Sequence, residues 1–167
     1  GGGLAVHQGL EKRALFEQLT KKEYFLVPGT IPDILRVRAN TLSDALIFEF
    51  ADWFIDNLGN INAEEVPYKI KTLSAYMSPG LRARYVSEMR SKAALWQERR
   101  VDQRFAFEPV KAYERKGDGK DVVFRVETWG TVRKSLDGRD LPVYREKISL
   151  EFQTRAPSTE KTWFFEV

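Results

Sequence analysis

The residues in this chain that could do chemistry are few, and they stand apart from one another. There is one histidine, His7, and no cysteine. Thiol catalysis, disulfides and thiolate metal sites are therefore excluded, and a lone imidazole cannot build a common zinc centre. His7 lies in a weakly patterned segment beside Gly1-Gly2-Gly3, so it reads as a surface residue rather than the base of a nucleophilic triad. Glu127 and Glu146 fall on segments with strand periodicity. A pair of carboxyls converging in a cavity could act as general acid and base, with Tyr113 as a third polar contributor. The simpler reading is charges on strands, each paired with an Arg or Lys on a neighbour. Glu146 stands out because it interrupts an otherwise apolar strand face. The stretch KGDGKD has glycines but neither the spacing nor the Lys-Ser/Thr end of a phosphate-binding loop. DGKD and DGRD do not continue to a bidentate acid at calcium-loop spacing, and read as hairpin turns. No catalytic residue, cofactor or metal is expected.

Composition narrows the class. A chain of 167 residues suggests one domain, and 43% hydrophobic with 31% charged residues is an ordinary globular balance. The 27 Lys and Arg against 24 Asp and Glu leave a net charge of +3, too small to argue for nucleic-acid binding. Absence of cysteine suits an oxidising compartment such as the periplasm. No stretch approaches the ~20 apolar residues of a membrane-crossing helix. The opening glycines read as a cloning scar or a cut inside a longer protein, and the chain ends on the apolar strand KTWFFEV.

The elements that must position these residues are read from periodicity. Leu4 to Thr20 carries a loose helical stripe interrupted by Gly9, and EYFLVPG is a short strand stopped by Pro28-Gly29. TLSDALIFEFADWFIDNLG predicts the strongest helix, with Thr41 and Asp44 as a capping box and Gly59 as the stop. It is apolar nearly all round and must be buried on more than one side. Asn62 with Glu65 predicts a cap for a short helix, and Ser78-Pro79 the start of a longer one. That longer helix carries a stripe of Leu81, Tyr85, Met89, Ala93 and Trp96, with a basic face from Arg82 to Arg100. The basic face lacks interleaved aromatics and reads as a solvated surface. From Val101 the pattern changes to period two. VDQRFAFEPVKAYER, VVFRVETWGTVRK, VYREKISLEFQTR and TWFFEV, separated by turn-rich stretches, predict an antiparallel meander. The fold class is α+β, with helices covering one apolar face of a curved four-stranded antiparallel sheet. The helices 42–58 and 81–96 are expected to do the covering, with Phe124, Ile148 and Phe152 beneath them.

The order YFLVPG, a long apolar helix ending DNLGNINAEEVPYKI, then LSAYMSPGLRARYVSEM and a four-strand meander, resembles the TraE branch of type IV secretion proteins. These are counterparts of the VirB8 scaffold subunit of conjugation machines. The similarity runs from Glu23 to Val167, and its most specific part is Asn62 to Leu81. The resemblance implies a cone-shaped, nuclear-transport-factor-two-like fold and a non-enzymatic role. It also implies a periplasmic domain (23–167) tethered to the bacterial inner membrane by a helix preceding Leu4, with 1–22 a juxtamembrane stalk. It implies self-association and contact with other channel subunits. No family-wide catalytic residues carry over. The Asn-Pro-x-Gly turn of the better-known branch is absent here.

Phe48, Phe54 and Ile55 flank the main stripe of the apolar helix, and leftover apolar surface marks an interface. They are the expected protein-interaction residues, in a domain that self-associates weakly once separated from its membrane. Cover by the short helix and the N-terminal segment is the alternative. A rival function is an enzyme or small-ligand binder of the same cone-shaped fold, with Glu127, Glu146 and Tyr113 as its polar groups. A second rival is an interaction domain unconnected with secretion.

Overall fold

The computed structural model describes residues 43–118, 122–155, 163 and 165–167. The stalk, the strand expected at 23–29, His7 and Thr41 lie outside them. Helix α1 spans Asp44–Gly59 and is buried along both flanks, as an all-round apolar helix must be. Its cap differs from the expected box. Ser43 takes the N-cap position, and its carbonyl accepts from the Leu46 and Ile47 amides. The Asp44 carboxylate is engaged by the Tyr113 hydroxyl at 2.7 Å. Gly59 ends the helix, with Asn60 as C-cap.

Strand β1 (Ile61–Asn62) follows, then a 3-10 turn (Ala63–Glu65) leading into helix α2 (Val66–Ser74). The predicted cap is present: Asn62 Oδ1 accepts the Glu65 amide at 3.0 Å, and the Glu65 side chain reaches back to the Asn62 side-chain amide. Ser78 in extended conformation and Pro79 at the first turn then open helix α3, Pro79–Glu98.

The sheet is antiparallel throughout and is centred on β4 (Val123–Leu136). One edge of β4 carries β2 (Asp102–Phe107) and β3 (Glu114–Lys116); the other carries β5 (Arg139–Asp140) and β6 (Tyr144–Thr154), whose end pairs with β7 (Phe165–Glu166). The expected antiparallel meander is therefore present, and among the described residues its sheet is divided into seven strands rather than four. The first predicted strand splits at Pro109, which has no amide to give to a ladder, and the next amide, Val110, donates to Asp52 on α1 instead. The DGRD turn is a tight hairpin in which Asp137 and Gly138 both take positive φ, 51° and 78°, the signature of a type I′ turn.

Alternation along β4 and β6 puts Phe124, Val126, Val132, Leu150 and Phe152 on the inner face against α1, with Ile148 half-buried beside them. Phe105 of β2 joins them, its ring lying on Gly59 of α1 and Gly130 of β4, where a Cβ would collide with it. The second expected cover is corrected. No residue of α3 is buried, and its stripe is only half-covered. Leu81 and Tyr85 reach the margin of the core, while the helix rests on α2 and the 3-10 turn. The space over the sheet is already filled by α1 and by Tyr76, Trp163 and Phe165. No helix among the described residues is long and apolar enough to cross a membrane.

Candidate functional site

A ligand in this architecture would sit between α1 and the inner face of the sheet. That space is filled by rings. Phe50 lies 4.8 Å from Phe165, 5.0 Å from Phe152 and 5.6 Å from Trp163 between centroids, and Trp53 lies 5.2 Å from Tyr76. Such contacts contribute about 0.5–1.5 kcal/mol each beyond the area they bury. They make the interior a core.

The polar groups that do penetrate lie along α1. Asp52, Asp56 and Asn60 recur every fourth residue, so they share one side of the helix. Asn60 exchanges hydrogen bonds with the backbone of Phe105: its Oδ1 accepts from the amide at 3.1 Å and its Nδ2 donates to the carbonyl at 3.2 Å. The same Nδ2 donates to Asp56 Oδ1 at 3.0 Å. Asn57 turns toward α2, where Lys69 Nζ donates to its Oδ1 at 2.9 Å and lies 3.7 Å from Glu65. Burial pushes the Asp56 carboxyl up and the Lys69 ammonium down, each charge partly offsetting the other's desolvation. Burial also pushes Asp52 up to about 6, against the opposing hydrogen bond from the Val110 amide and with help from Glu49 and Asp56. A carboxyl near 6 has the proton affinity of a general acid. This one, however, is turned to the Val110 backbone at 2.8 Å and pins the β2–β3 connection to α1. The signal for this row was a four-residue polar spacing inside an apolar helix.

The residues singled out from sequence are not brought together. Glu127 is exposed on β4, bonded to Arg125 at 2.6 Å and 3.9 Å from Lys147. Glu146 is exposed on β6 opposite Gly130, between Ile148 and Tyr144 on the inner-facing row of that strand. Tyr113 binds Asp44 and packs edge-on against Phe48 and Phe124. Phe54 and Ile55 are 1% and 0% exposed inside the core, so the chain itself covers them. Phe48 is half-buried against Tyr113.

The corner between α2 and α3 is held by arginines. Arg82 donates to the carbonyls of Ser74 and Met77 at 3.0 and 3.1 Å, and Arg155 to that of Ala75 at 2.8 Å. Those of Ser74 and Ala75 are carbonyls that the end of α2 leaves without a partner inside the helix. Arg155 also stacks over the Tyr76 ring at 4.8 Å and lies 3.7 Å from Glu166. The Ser78 amide donates to the Val167 carbonyl, and the Val167 amide to the Tyr76 carbonyl, at 2.8 and 2.7 Å. Leu73 and Tyr76 are buried, so the Leu-Ser-x-Tyr-x-Ser-Pro stretch builds a structural corner. Basic residues Arg84, Arg90 and Lys92 of α3 remain exposed.

No family model and no curated protein matches the sequence. Solved structures do match its fold. The periplasmic domain of DotI superposes with a TM-score of 0.60 at 7% identity, covering 75% of this chain and 91% of that one. CagV, a VirB8 homologue of the type IV secretion system from Helicobacter pylori strain 26695, matches with a TM-score of 0.50 at 10% identity, over 74% and 92%. A periplasmic fragment of TraM gives 0.45 at 17% identity, over 74% and 90%. The chain thus has the α+β, nuclear-transport-factor-two-like fold of VirB8-like periplasmic domains.

Proposed function

We propose that this chain is the periplasmic domain of a non-enzymatic assembly subunit of a type IV secretion machine, of the conjugative TraE kind. In this reading the full-length protein is held to the inner membrane by a helix N-terminal to the domain. It works by contact with copies of itself and with other channel subunits, and it needs neither cofactor nor nucleic acid. The observation that carries the proposal is the match to the DotI periplasmic domain over 91% of that chain, joined here to an interior filled by Phe50, Trp163 and Phe165. A ring-filled interior speaks against the ligand-binding alternative.

The test is to delete the gene in its host and restore it as the full-length membrane protein. Conjugative transfer is then scored alongside crosslinking in membranes. Transfer that depends on the protein, with crosslinks to itself or to channel subunits, supports the proposal. Unaltered transfer in the deletion strain, or a protein that never crosslinks to such partners, refutes it.

A further inference from the structure

The outer face of the sheet, turned away from α1, sets several cations side by side, and only some of them are paired with acids. The ladder sets Arg104 of β2 directly opposite Arg133 of β4. On the other edge of β4, Arg145 stands opposite Thr131 and Lys147 opposite Trp129. Side chains directly opposed on a sheet have their Cβ atoms about 4.5–5.5 Å apart, where like charges destabilise it. The nearby acids relieve only part of this. Arg104 has Asp102 of its own strand at 3.4 Å, and Glu127 is taken by Arg125 at 2.6 Å and by Lys147 at 3.9 Å. Among the described residues Arg133 and Arg145 have no acidic partner. Among these cations stands Trp129, 57% exposed. With Arg145 and Glu127 it lines an open groove whose opposite wall is the connection 106–112.

Opposed arginines and a bare indole bring the isolated fold nothing; a partner that supplies carboxylates accounts for both. We infer that this face docks an acidic, extended segment of a partner polypeptide. The partner's carboxylates pair with Arg104, Arg133 and Arg145, since a guanidinium fork matches a carboxylate. A side chain of the segment lies on Trp129 in the groove. The surface is not uniformly basic: Asp102, Glu127 and Glu151 share it and Glu108 lines the groove, and a continuous polyanion would be repelled by them. A peptide can space its acids to avoid them. The net charge of only +3 argues the same way. The inference rests on the assembly reading, because the occupant is another polypeptide.

The experiment places the photocrosslinker p-benzoylphenylalanine at Trp129 of the full-length protein in its host, with Tyr68 of α2, 64% exposed, as the second site. Crosslinked segments are identified by mass spectrometry. The expected result is a segment rich in Asp and Glu at Trp129, with yield falling about tenfold when Arg133→Glu and Arg145→Glu are introduced. That reversal replaces the Arg104–Arg133 repulsion with an attraction, so the domain should keep its fold; Arg133→Gln with Arg145→Gln is the milder companion, and thermal melting checks both. Crosslinks to lipid, to nucleic acid or to a segment lacking acids would overturn the inference, as would a yield unchanged by both variants. Channel subunits captured at Tyr68 but not at Trp129 would overturn the docking face and leave the assembly reading intact. No partner at either site would overturn the docking face, and the gene-deletion test then decides the assembly reading separately.

Discussion

Replacing Asp52 with Asn should stabilise the domain at neutral pH, although Asp52 is hydrogen-bonded. Its Oδ1 accepts the Val110 amide at 2.8 Å, and an amide oxygen in the same place keeps that acceptor. What disappears is a charge that burial disfavours. Asp52 is pushed from 3.8 to about 6, first by burial and then, against the Val110 hydrogen bond, by Glu49 and Asp56. An acid that holds its proton more tightly when folded costs the fold nothing below pH 3.8; stability falls as the pH rises, and the loss is complete above about 6. At roughly 1.4 kcal/mol for each tenfold change in proton affinity, the interval is about 3 kcal/mol. Water screens a half-buried carboxylate, so roughly 1–2 kcal/mol is expected. Urea unfolding, followed by tryptophan fluorescence between about pH 4 and pH 8, measures it. Variant and parent should coincide near the acid end, and the variant should gain steadily above about pH 5. A variant less stable at about pH 8, or a gap independent of pH, would show that the carboxylate charge is stabilising and that the desolvation reasoning is wrong.

Other outcomes follow from the same contacts. Gly130→Ala would drive a methyl into the Phe105 ring and to within 2.8 Å of the Ala106 carbonyl; a loss of about 1–3 kcal/mol is expected in thermal melts, partly recovered by adding Phe105→Leu. Arg155→Ala removes the bond to Ala75 and the stack on Tyr76; about 1–3 kcal/mol should be lost, with faster amide exchange at Ser78 and Val167. Glu127→Gln with Glu146→Gln, both exposed, should leave stability within about 0.5 kcal/mol and conjugative transfer unchanged. A well-folded double variant that loses transfer would favour the catalytic alternative.

Periodicity alone revealed α1, β4 and β6, because burial on both flanks or on one face leaves its mark in every turn or alternate residue. The Asn62–Glu65 cap and the Asp137-Gly138 turn were legible for a related reason: their chemistry is local. Position was harder. The stripe from Leu81 to Trp96 marks one side of α3 without saying what lies against it, and in the fold that is α2 rather than the sheet. Phe54 and Ile55 show the same gap, since an apolar surplus does not distinguish cover by the same chain from cover by a partner. The Arg155 cap was invisible, because Arg155 and the Ala75 carbonyl meet across 80 residues. The Arg104–Arg133 opposition needed a register, and no single strand contains one.

The bonds between Val167 and the 76–78 corner set an order of events during synthesis. α1, α2 and the corner after them are made before the sheet, and they carry Phe50, Trp53 and Tyr76. Their ring partners Trp163 and Phe165 come from the last described stretch, as does the strand that closes the corner. Contacts so distant in sequence are slow to form, and exposed apolar surface before they form invites aggregation. The growing domain must therefore keep an open aromatic face until Trp163 and Phe165 have been made.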